Sequence, residues 1–242
     1  MESKIRAIFF DAGNTLIYPR HEVLVEDLKS QGHSVAVEDF HAAERAGKAR
    51  LDEWLWPQIR KGEVPRTVDQ YYWTEYLAAL MDRIRPPQEE RGRLMLRVAD
   101  GFRQITLWSR VMPDTPPYLD ALRRRGYFMG VISNSIGTME EQLARVDLAR
   151  HFDTVLDSAV VGVEKPNPGI FQLALERARI APNEAVFIGD TNATDMGGAQ
   201  LSGLRGVLID RVGAYPNATA PRITSLPDLD PILERLADSA CQ

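Results

Sequence analysis

Short apolar runs alternate with longer segments of helical periodicity through the second half of the chain. Four of the runs, all from Tyr127 onward, are predicted to be buried strands: YFMGVIS, FDTVLDS, EAVFIGD and GVLID. The helical segments between them include NPGIFQLALERARI, where Asn167 and Pro168 suit a helix cap and first turn. An AIFF run near the N-terminus has the same strand character. Continuous apolar strands separated by single helices are typical of a parallel sheet covered on both faces.

Residues 18–111 have a different pattern, because helical spacing dominates there and few runs resemble strands. All four tryptophans fall in this segment, and their simplest role is packing between helices. Helix ends are predicted at Pro57 and at RPPQ, residues 85–88. The predicted fold is therefore α/β, with a Rossmann-like, doubly wound parallel sheet core formed by residues 1–17 and 112–242. Residues 18–111 are predicted to be an α-helical cap domain inserted after the first strand.

Composition excludes several classes of function. The 242 residues are 44% hydrophobic, which is ordinary for a globular protein, and the net charge of -5 comes without a block of lysine and arginine. No nucleic-acid or membrane partner is therefore expected. Cys241 is the only cysteine, so no internal disulfide is available and a cytoplasmic location is predicted. The sequence leaves open whether the protein is a monomer or a homodimer.

Chemically distinctive residues follow the predicted strands at the points where those strands end. Asp11 follows AIFF, Ser133 and Asn134 follow MGVI, and Asp190 follows VFIG. Lys165 lies in the loop ahead of the Pro168 helix. Ligands of open parallel sheets bind outside the carboxyl ends of the strands, so these groups are expected to meet in one crevice. Such a set is costly to desolvate without a ligand but suits a bound anion with a divalent cation, which indicates phosphoryl chemistry.

Four segments in a fixed order resemble the motifs of the haloacid dehalogenase (HAD) superfamily. They are DAGNT (11–15), ISN (132–134), EKPNPGIF (164–171) and GDTNATD (189–195). The chain is most similar to the subclass with a helical cap inserted after the first motif, and the resemblance extends to Asp210. It implies a magnesium-dependent hydrolase, most simply a phosphatase acting on a small phosphorylated metabolite through an aspartyl-phosphate.

The resemblance also implies roles for individual residues. Asp11 matches the nucleophile that attacks phosphorus, and Lys165 matches the catalytic cation that offsets charge on the nucleophile and the phosphoryl group. Ser133 matches the hydroxyl that binds phosphoryl oxygens. Asn134 and Thr15, from the same motifs, are predicted to contribute to substrate binding.

The metal site implied by the resemblance consists of Asp11, the backbone carbonyl of Gly13, Asp190 and Asp195. Magnesium needs only one or two carboxylates because it keeps several waters, so a sparse acidic set suffices. An aspartate near a helix start is also favourable as a cap, so Asp195 has an alternative interpretation as a helix cap.

Gly13 departs from the pattern of the family's phosphatases. Those enzymes usually carry a second aspartate here, which protonates the leaving oxygen and later activates water. Such acid–base help is worth about a hundredfold to ten-thousandfold. A cap residue such as His21, His41 or Glu44 would be one substitute, and a substrate whose leaving group needs no proton would be another.

Gly13 leaves three other functions open. The phosphonate-cleaving branch has a small residue at this position and uses a cap lysine to form a Schiff base. Lys48 is the candidate for that lysine, although its simplest interpretation is a solvent-exposed helix residue. A haloacid dehalogenase also lacks the second acid, but it needs no magnesium, whereas Asp190 and Asp195 keep the metal motif. The third alternative is a catalytically weak protein that binds a phosphorylated ligand.

Overall fold

The computed structural model describes residues 4–64 and 68–238, so Cys241 lies outside the described residues. Its main sheet has six parallel strands in the order β5-β4-β1-β6-β7-β8, and a separate ribbon pairs β2 with β3 in antiparallel fashion. The strands are β1 (Ala7–Phe10), β2 (Tyr18–Pro19), β3 (Trp108–Arg110), β4 (Phe128–Ser133), β5 (Thr154–Asp157), β6 (Ala185–Gly189), β7 (Arg205–Ile209) and β8 (Arg222–Ile223). The predicted parallel sheet, with all five predicted strands, is confirmed.

Helices occupy the insertion and both faces of the sheet. The insertion contains α1 (His21–Ser30), α2 (Val37–Ile59), α3 (Val68–Ile84) and α4 (Gln88–Arg103). The rest of the described chain contains α5 (Thr115–Arg124), α6 (Met139–Arg145), α7 (Ser158–Val161), α8 (Pro168–Ala178), α9 (Gly197–Leu201) and α10 (Asp230–Asp238). A π-helical turn, Asn192–Met196, precedes α9. No helix in the described ranges has both the length and the apolar character needed to cross a bilayer.

Two hydrophobic clusters cover the two faces of the sheet. On β1, Ile8 and Phe10 belong to one cluster with side chains of α5, α6 and α10. Ala7 and Phe9 point to the other face and belong to a cluster with α8 and α9. All four residues of the strand are fully buried, which explains why the run is continuously apolar. The doubly wound arrangement is confirmed.

The helix boundaries agree with local chemistry at α8 and depart from it at α2. The Asn167 side chain caps α8 by accepting a hydrogen bond from the Gly169 amide at 2.9 Å, with Pro168 in the first turn. The predicted helix end at Pro57 is wrong, because α2 continues to Ile59. Proline lacks one backbone N–H and its ring crowds the preceding turn, but only two helical residues follow it, so the distortion is confined to the last turn of α2.

Aromatic side chains pack between the inserted helices, as predicted for Trp54 and Trp73. Trp54 stacks on Tyr71 with ring centroids 4.4 Å apart, and Trp73 packs on Phe102 at 4.9 Å. Trp108 differs, because it lies on strand β3 at the exit from the insertion. The β2–β3 ribbon joins the two chain segments that enter and leave the insertion, directly beside the end of β1.

Candidate active site

The centre of the sheet places the acid of the first motif between the other motifs. Strand β1 lies between β4 and β6, with Phe10 opposite Val131 on one side and Ile188 on the other. Asp11 is the next residue, and its amide donates to the Ile188 carbonyl at 2.7 Å. Residues that follow β4 and β6 therefore flank Asp11 directly. This geometry brings the predicted residues of the first, second and fourth motifs together.

A tight turn follows Asp11. The Ala12 carbonyl accepts hydrogen bonds from the Leu16 amide at 2.9 Å and the Ile17 amide at 3.0 Å. Asn14 takes a left-handed conformation with φ of 53°, which asparagine tolerates better than most residues. Thr15 is completely buried, with its hydroxyl 3.5 Å from Oδ2 of Asp11. This position suits orientation of the carboxylate, and direct contact of Thr15 with substrate stays a prediction.

Lys165 is buried and joins two of the predicted carboxylates. Its Nζ lies 2.6 Å from Oδ1 of Asp11 and 2.7 Å from Oδ1 of Asp195. Asn134 holds the loop that carries this lysine, because its Oδ1 accepts from the Lys165 amide at 2.7 Å and its Nδ2 donates to the Lys165 carbonyl at 3.0 Å. The second motif thus positions the cation of the third.

Asp195 faces back toward the strand end. Its Oδ2 accepts from the amide and the hydroxyl of Thr191 at 2.9 and 2.8 Å, while its Oδ1 contacts Lys165. The residue lies inside the π-helical turn and does not cap α9, so the alternative interpretation as a helix cap is wrong. A Cβ atom on Gly189 would overlap the Asp195 carboxyl group, which explains the glycine before Asp190.

Lys48 comes from the cap and contacts the fourth motif. Its Nζ lies 2.8 Å from Oδ2 of Asp190 and 2.7 Å from Oε1 of Glu44, and the residue is 1% exposed. The interpretation of Lys48 as a solvent-exposed helix residue is therefore wrong. Burial alone would lower the pKa of Lys48, but the carboxylates of Asp190 and Glu44 outweigh it and raise this pKa well above its usual range. Lys48 is therefore a fixed cation at neutral pH.

The three buried carboxylates Asp11, Asp190 and Asp195 fit a metal site. One oxygen of each lies within 4.8 Å of the others. Among the described residues, two lysines contact these three carboxylates and that of Glu44, so the cluster, when ionised, carries two excess negative charges. Burial raises the pKa of Asp11, and the other two aspartates add to this, whereas Lys165 opposes it. A hard divalent cation would balance the excess charge and keep Asp11 ionised.

A cavity of about 720 Å³ lies between these groups and the cap. Its lining includes Gly13, Ser133 and Asn134 beside the three aspartates and Lys165. Ser133 is buried at the end of β4. The predicted nucleophile, cation, hydroxyl and metal ligands therefore line one space.

The cap residues proposed from the sequence as substitute acids do not line this cavity. His21 stacks on Phe40 with ring centroids 5.0 Å apart, and His41 contacts His21 at 5.5 Å. Burial lowers the pKa of His21 to about 4. Glu44 is held by Lys48 at 2.7 Å. Of the described residues that line the cavity, none is His21, His41 or Glu44.

Three residues that the motifs did not identify contact the site. The Asp69 carboxylate, at the start of α3, accepts from Nδ2 of Asn134 at 3.1 Å and lines the cavity. Asp52, on α2, accepts from Nδ2 of Asn192 at 2.8 Å. Trp108 covers Gly13, since a Cβ atom there would lie 3.3 Å from Cζ3 of the indole. An acidic residue in the first turn of a helix is favoured by the helix dipole, so the sequence contained no indication that Asp69 contacts the site.

Comparison with known proteins gives three informative relatives. The model of the haloacid dehalogenase-like hydrolases matches residues 5–203. Phosphoserine phosphatase of Thermus thermophilus is 30% identical over 226 residues, 86% of this chain and 89% of that protein. (S)-2-haloacid dehalogenase 4A of Burkholderia cepacia is 28% identical over 246 residues, 97% of each chain. The solved structure of a HAD hydrolase, YfnB of Bacillus subtilis, bound to magnesium, matches with a TM-score of 0.63 and 18% identity over 96% of this chain and 99% of that one.

Proposed function

The chain belongs to the haloacid dehalogenase-like hydrolases, and we propose that within this family it is a magnesium-dependent phosphatase. Its substrate would be a small phosphorylated molecule that is cleaved through an aspartyl-phosphate on Asp11. In this proposal residues 1–17 and 112–242 form the catalytic core and residues 18–111 form the cap that covers it.

One observation carries the proposal. Asp11, Asp190 and Asp195 offer oxygens within 4.8 Å of one another, and the two lysines that contact the cluster do not balance its charge. Dehalogenation by an aspartate needs no metal, so a dehalogenase function does not explain why a second carboxylate, Asp190, lies beside Asp11. Phosphoryl transfer gives that reason, because a dianionic phosphate must approach an anionic nucleophile.

The chain's own residues supply most of the chemistry. The Asp11 carboxylate attacks phosphorus in line with the ester oxygen, so that the bond to Asp11 forms as the ester bond breaks. Lys165, 2.6 Å from Asp11, neutralises charge on the nucleophile and on the transferring group. The Ser133 hydroxyl and the backbone amide of Asn134 would orient the phosphoryl oxygens, because Nδ2 of Asn134 already donates to Asp69 and Lys165. Water then attacks the phosphorus of the aspartyl-phosphate and releases phosphate.

Magnesium would be held by Asp11, the Gly13 carbonyl, Asp190 and Asp195. When bound there, it would supply positive charge toward the phosphoryl oxygens. The magnesium in the related YfnB structure supports this choice of ion.

Two alternatives keep a specific observation in their favour. The likeness to a haloacid dehalogenase and the missing acid at Gly13 favour carbon–halogen cleavage by Asp11. The buried cap lysine, Lys48, favours phosphonate cleavage. A Schiff base, however, needs a neutral amine, and the contacts of Lys48 with Asp190 and Glu44 hold it charged.

The test is product release from a panel of phosphate esters, phosphonoacetaldehyde and 2-haloacids, with and without magnesium. The wild type is compared with Asp11→Asn and with Asp147→Asn. Asp147 is an exposed aspartate whose left-handed backbone, with φ of 58°, suits asparagine, so it controls for the substitution itself.

Phosphate release that needs both magnesium and Asp11, and that survives in Asp147→Asn, supports the proposal. Halide release without added metal would replace it with a dehalogenase function. Turnover of phosphonoacetaldehyde alone would identify the phosphonate-cleaving activity. Binding of a phosphate mimic without turnover of any compound would indicate the ligand-binding role.

A further inference from the structure

The cavity extends far beyond the catalytic groups. Its inner end carries Asp11, Ser133 and Lys165, whereas its outer end lies between α3, α4 and β3. The outer lining is mostly apolar and comprises Trp73, Leu77, Met95, Leu96, Ala99, Phe102 and Trp108. Pockets of about 300–1,000 Å³ enclose drug-sized ligands, so 720 Å³ is more than a serine- or glycerol-sized ester requires.

Three polar side chains, Gln70, Thr74 and Arg103, also line the outer end, and Thr74 and Arg103 already have partners. The Arg103 guanidinium contacts Asp100 at 2.8 Å, and the Thr74 hydroxyl donates to the Gln70 carbonyl at 2.8 Å. A sugar placed here would bury hydroxyls with few partners, at a cost of about 1–3 kcal/mol each. The outer end therefore favours an apolar organic group.

The rim of the cavity is apolar as well. Four large hydrophobic side chains are exposed in the described part of the chain, and two of them, Leu96 at 66% and Ile136 at 64%, line this cavity. Exposed apolar surface beside a catalytic site is a common mark of ligand binding. Leu96 lies on the cap and Ile136 follows the second motif, so the two flank the mouth from opposite sides.

Trp108 fills the space beside Gly13 where an acidic side chain would lie. Its Nε1 donates to the Phe102 carbonyl at 2.8 Å, and its ring lies 6.1 Å from the Phe102 ring, which in turn packs on Trp73. These three rings form an aromatic wall that begins at Gly13 and runs outward. The leaving oxygen therefore meets an indole where the family's phosphatases usually present a carboxylic acid.

We propose that the substrate is an aryl phosphate, with its ring against the wall of Trp73, Phe102 and Trp108 and its phosphate at Asp11. This inference rests on the proposed phosphatase function. The bond between phosphorus and Asp11 forms as the bond to the aryl oxygen breaks, and the electron pair stays on that oxygen. A phenol has a pKa of about 10, so it leaves as an anion and takes its proton from water afterwards. No protein acid is required.

The first experiment compares two esters with the same ring. The leaving oxygen of 2-naphthyl phosphate is phenolic, whereas (2-naphthyl)methyl phosphate has one extra CH₂ and a far more basic leaving oxygen. We expect kcat/KM to be at least about a hundredfold higher for the aryl ester, because a general acid typically contributes at least this factor to the rate and only the alkyl ester needs one. Glycerol phosphate should be poorer still. A ratio near one would overturn the inference, because the enzyme would then protonate its leaving group.

The panel also separates this inference from the proposed function. A higher kcat/KM for glycerol phosphate than for the aryl ester would be consistent with the proposed phosphatase function and would overturn only the inference of an aryl substrate. Absence of phosphate release from every ester would overturn the proposed function and the aryl assignment with it.

Asp69 is the competing proton source, because it lines the same cavity and burial raises its pKa. Asp69→Asn keeps the size and the contact with Asn134 through the side-chain oxygen. Any loss of positioning should lower kcat/KM for 2-naphthyl phosphate and for (2-naphthyl)methyl phosphate by a similar factor, so we expect the ratio between the two esters to change by less than about threefold. A rise of about a hundredfold in that ratio would show that Asp69 protonates the leaving oxygen, and it would overturn the inference that this oxygen leaves without an acid.

Two variants test the position of the ring. Ala99→Phe fills the outer end and should lower kcat/KM about tenfold or more for 2-naphthyl phosphate, with little change for glycerol phosphate. Leu96→Gln acts at an exposed position where folding is not at risk, and it should raise KM for the naphthyl ester alone. Val23→Gln is the matched control, because Val23 is exposed on the cap helix α1 outside the cavity lining. Equal effects on both esters would overturn the placement.

Discussion

Restoring an acid at position 13 should fail unless Trp108 is removed. A Cβ atom on Gly13 would lie 3.3 Å from Cζ3 and 3.6 Å from Cη2 of the indole, at or below the ordinary carbon–carbon contact of about 3.5–4.0 Å. A carboxyl group extends about 1.5 Å further, so in Gly13→Asp it overlaps the ring or turns away from the substrate. The backbone is no obstacle, since Gly13 is not among the glycines with positive φ.

The double variant Gly13→Asp/Trp108→Ala has room for the carboxylate. We expect Gly13→Asp alone to gain less than about threefold in kcat/KM on an alkyl phosphate and to lose about 1–3 kcal/mol of stability through overpacking. The double variant should gain about a hundredfold to ten-thousandfold, which corresponds to about 2.7–5.5 kcal/mol of transition-state stabilisation. The assay is magnesium-dependent phosphate release from glycerol phosphate.

The matched control is Gly13→Asn/Trp108→Ala, which has the same shape without the acid. The reasoning would be refuted if this control gained as much as the aspartate variant, because space rather than proton transfer would then explain the effect. It would also be refuted by a hundredfold gain in Gly13→Asp alone. Thermal unfolding of each variant shows whether Trp108→Ala has damaged the cap.

Three further predictions follow from the charges and burial. Lys165→Met leaves two buried carboxylates unpaired, so urea unfolding without metal should show a loss of about 3–5 kcal/mol that magnesium partly restores. Lys48 competes with a cation for Asp190, so Glu44→Gln/Lys48→Met should bind magnesium about tenfold more tightly in a thermal-shift titration. Weaker binding would show instead that Lys48 positions Asp190. Burial lowers the pKa of His21 from 6.5 to about 4, so the unfolded chain binds the proton more readily. The contribution of His21 to stability is therefore full above pH 6.5 and falls by up to about 3 kcal/mol toward pH 4, and His21→Leu should remove this part of the pH dependence measured in urea titrations.

The core was predictable from sequence because each of its signals is local. Four residues of β1 are buried on both faces, so its pattern is a continuous apolar run. Asp11, Asp190 and Asp195 occupy fixed positions after strands, and sheet topology alone brings them together. The motif order therefore identified the groups that meet at the strand ends, without any information from the cap.

The cap contribution was not predictable, because its residues reach the site only through tertiary packing. Lys48 has the spacing of an ordinary helix lysine, and nothing local shows that Gly47 lets Tyr76 pack closely beside it; a Cβ there would lie 3.3 Å from the Tyr76 backbone. In the sequence, Trp108 looks like the other tryptophans of the insertion, which pack between helices. In the structure it lies on a strand beside Gly13. Whether such a residue packs between cap helices or contacts the site depends on the tertiary structure, and the hydrophobic pattern of the sequence does not show it.

Three polar pairs join the cap to the loops that follow β4 and β6. Lys48 contacts Asp190 at 2.8 Å, Asp69 accepts from Asn134 at 3.1 Å, and Asp52 accepts from the Ala193 amide at 3.0 Å. A cap that swings open breaks all three and removes one positive charge from the cluster of Asp11, Asp190 and Asp195. Metal affinity and cap position are then linked, and the linkage is reciprocal: whatever displaces Lys48 from Asp190 also weakens the closed cap. The cap would thus influence charge at the core as well as the choice of substrate.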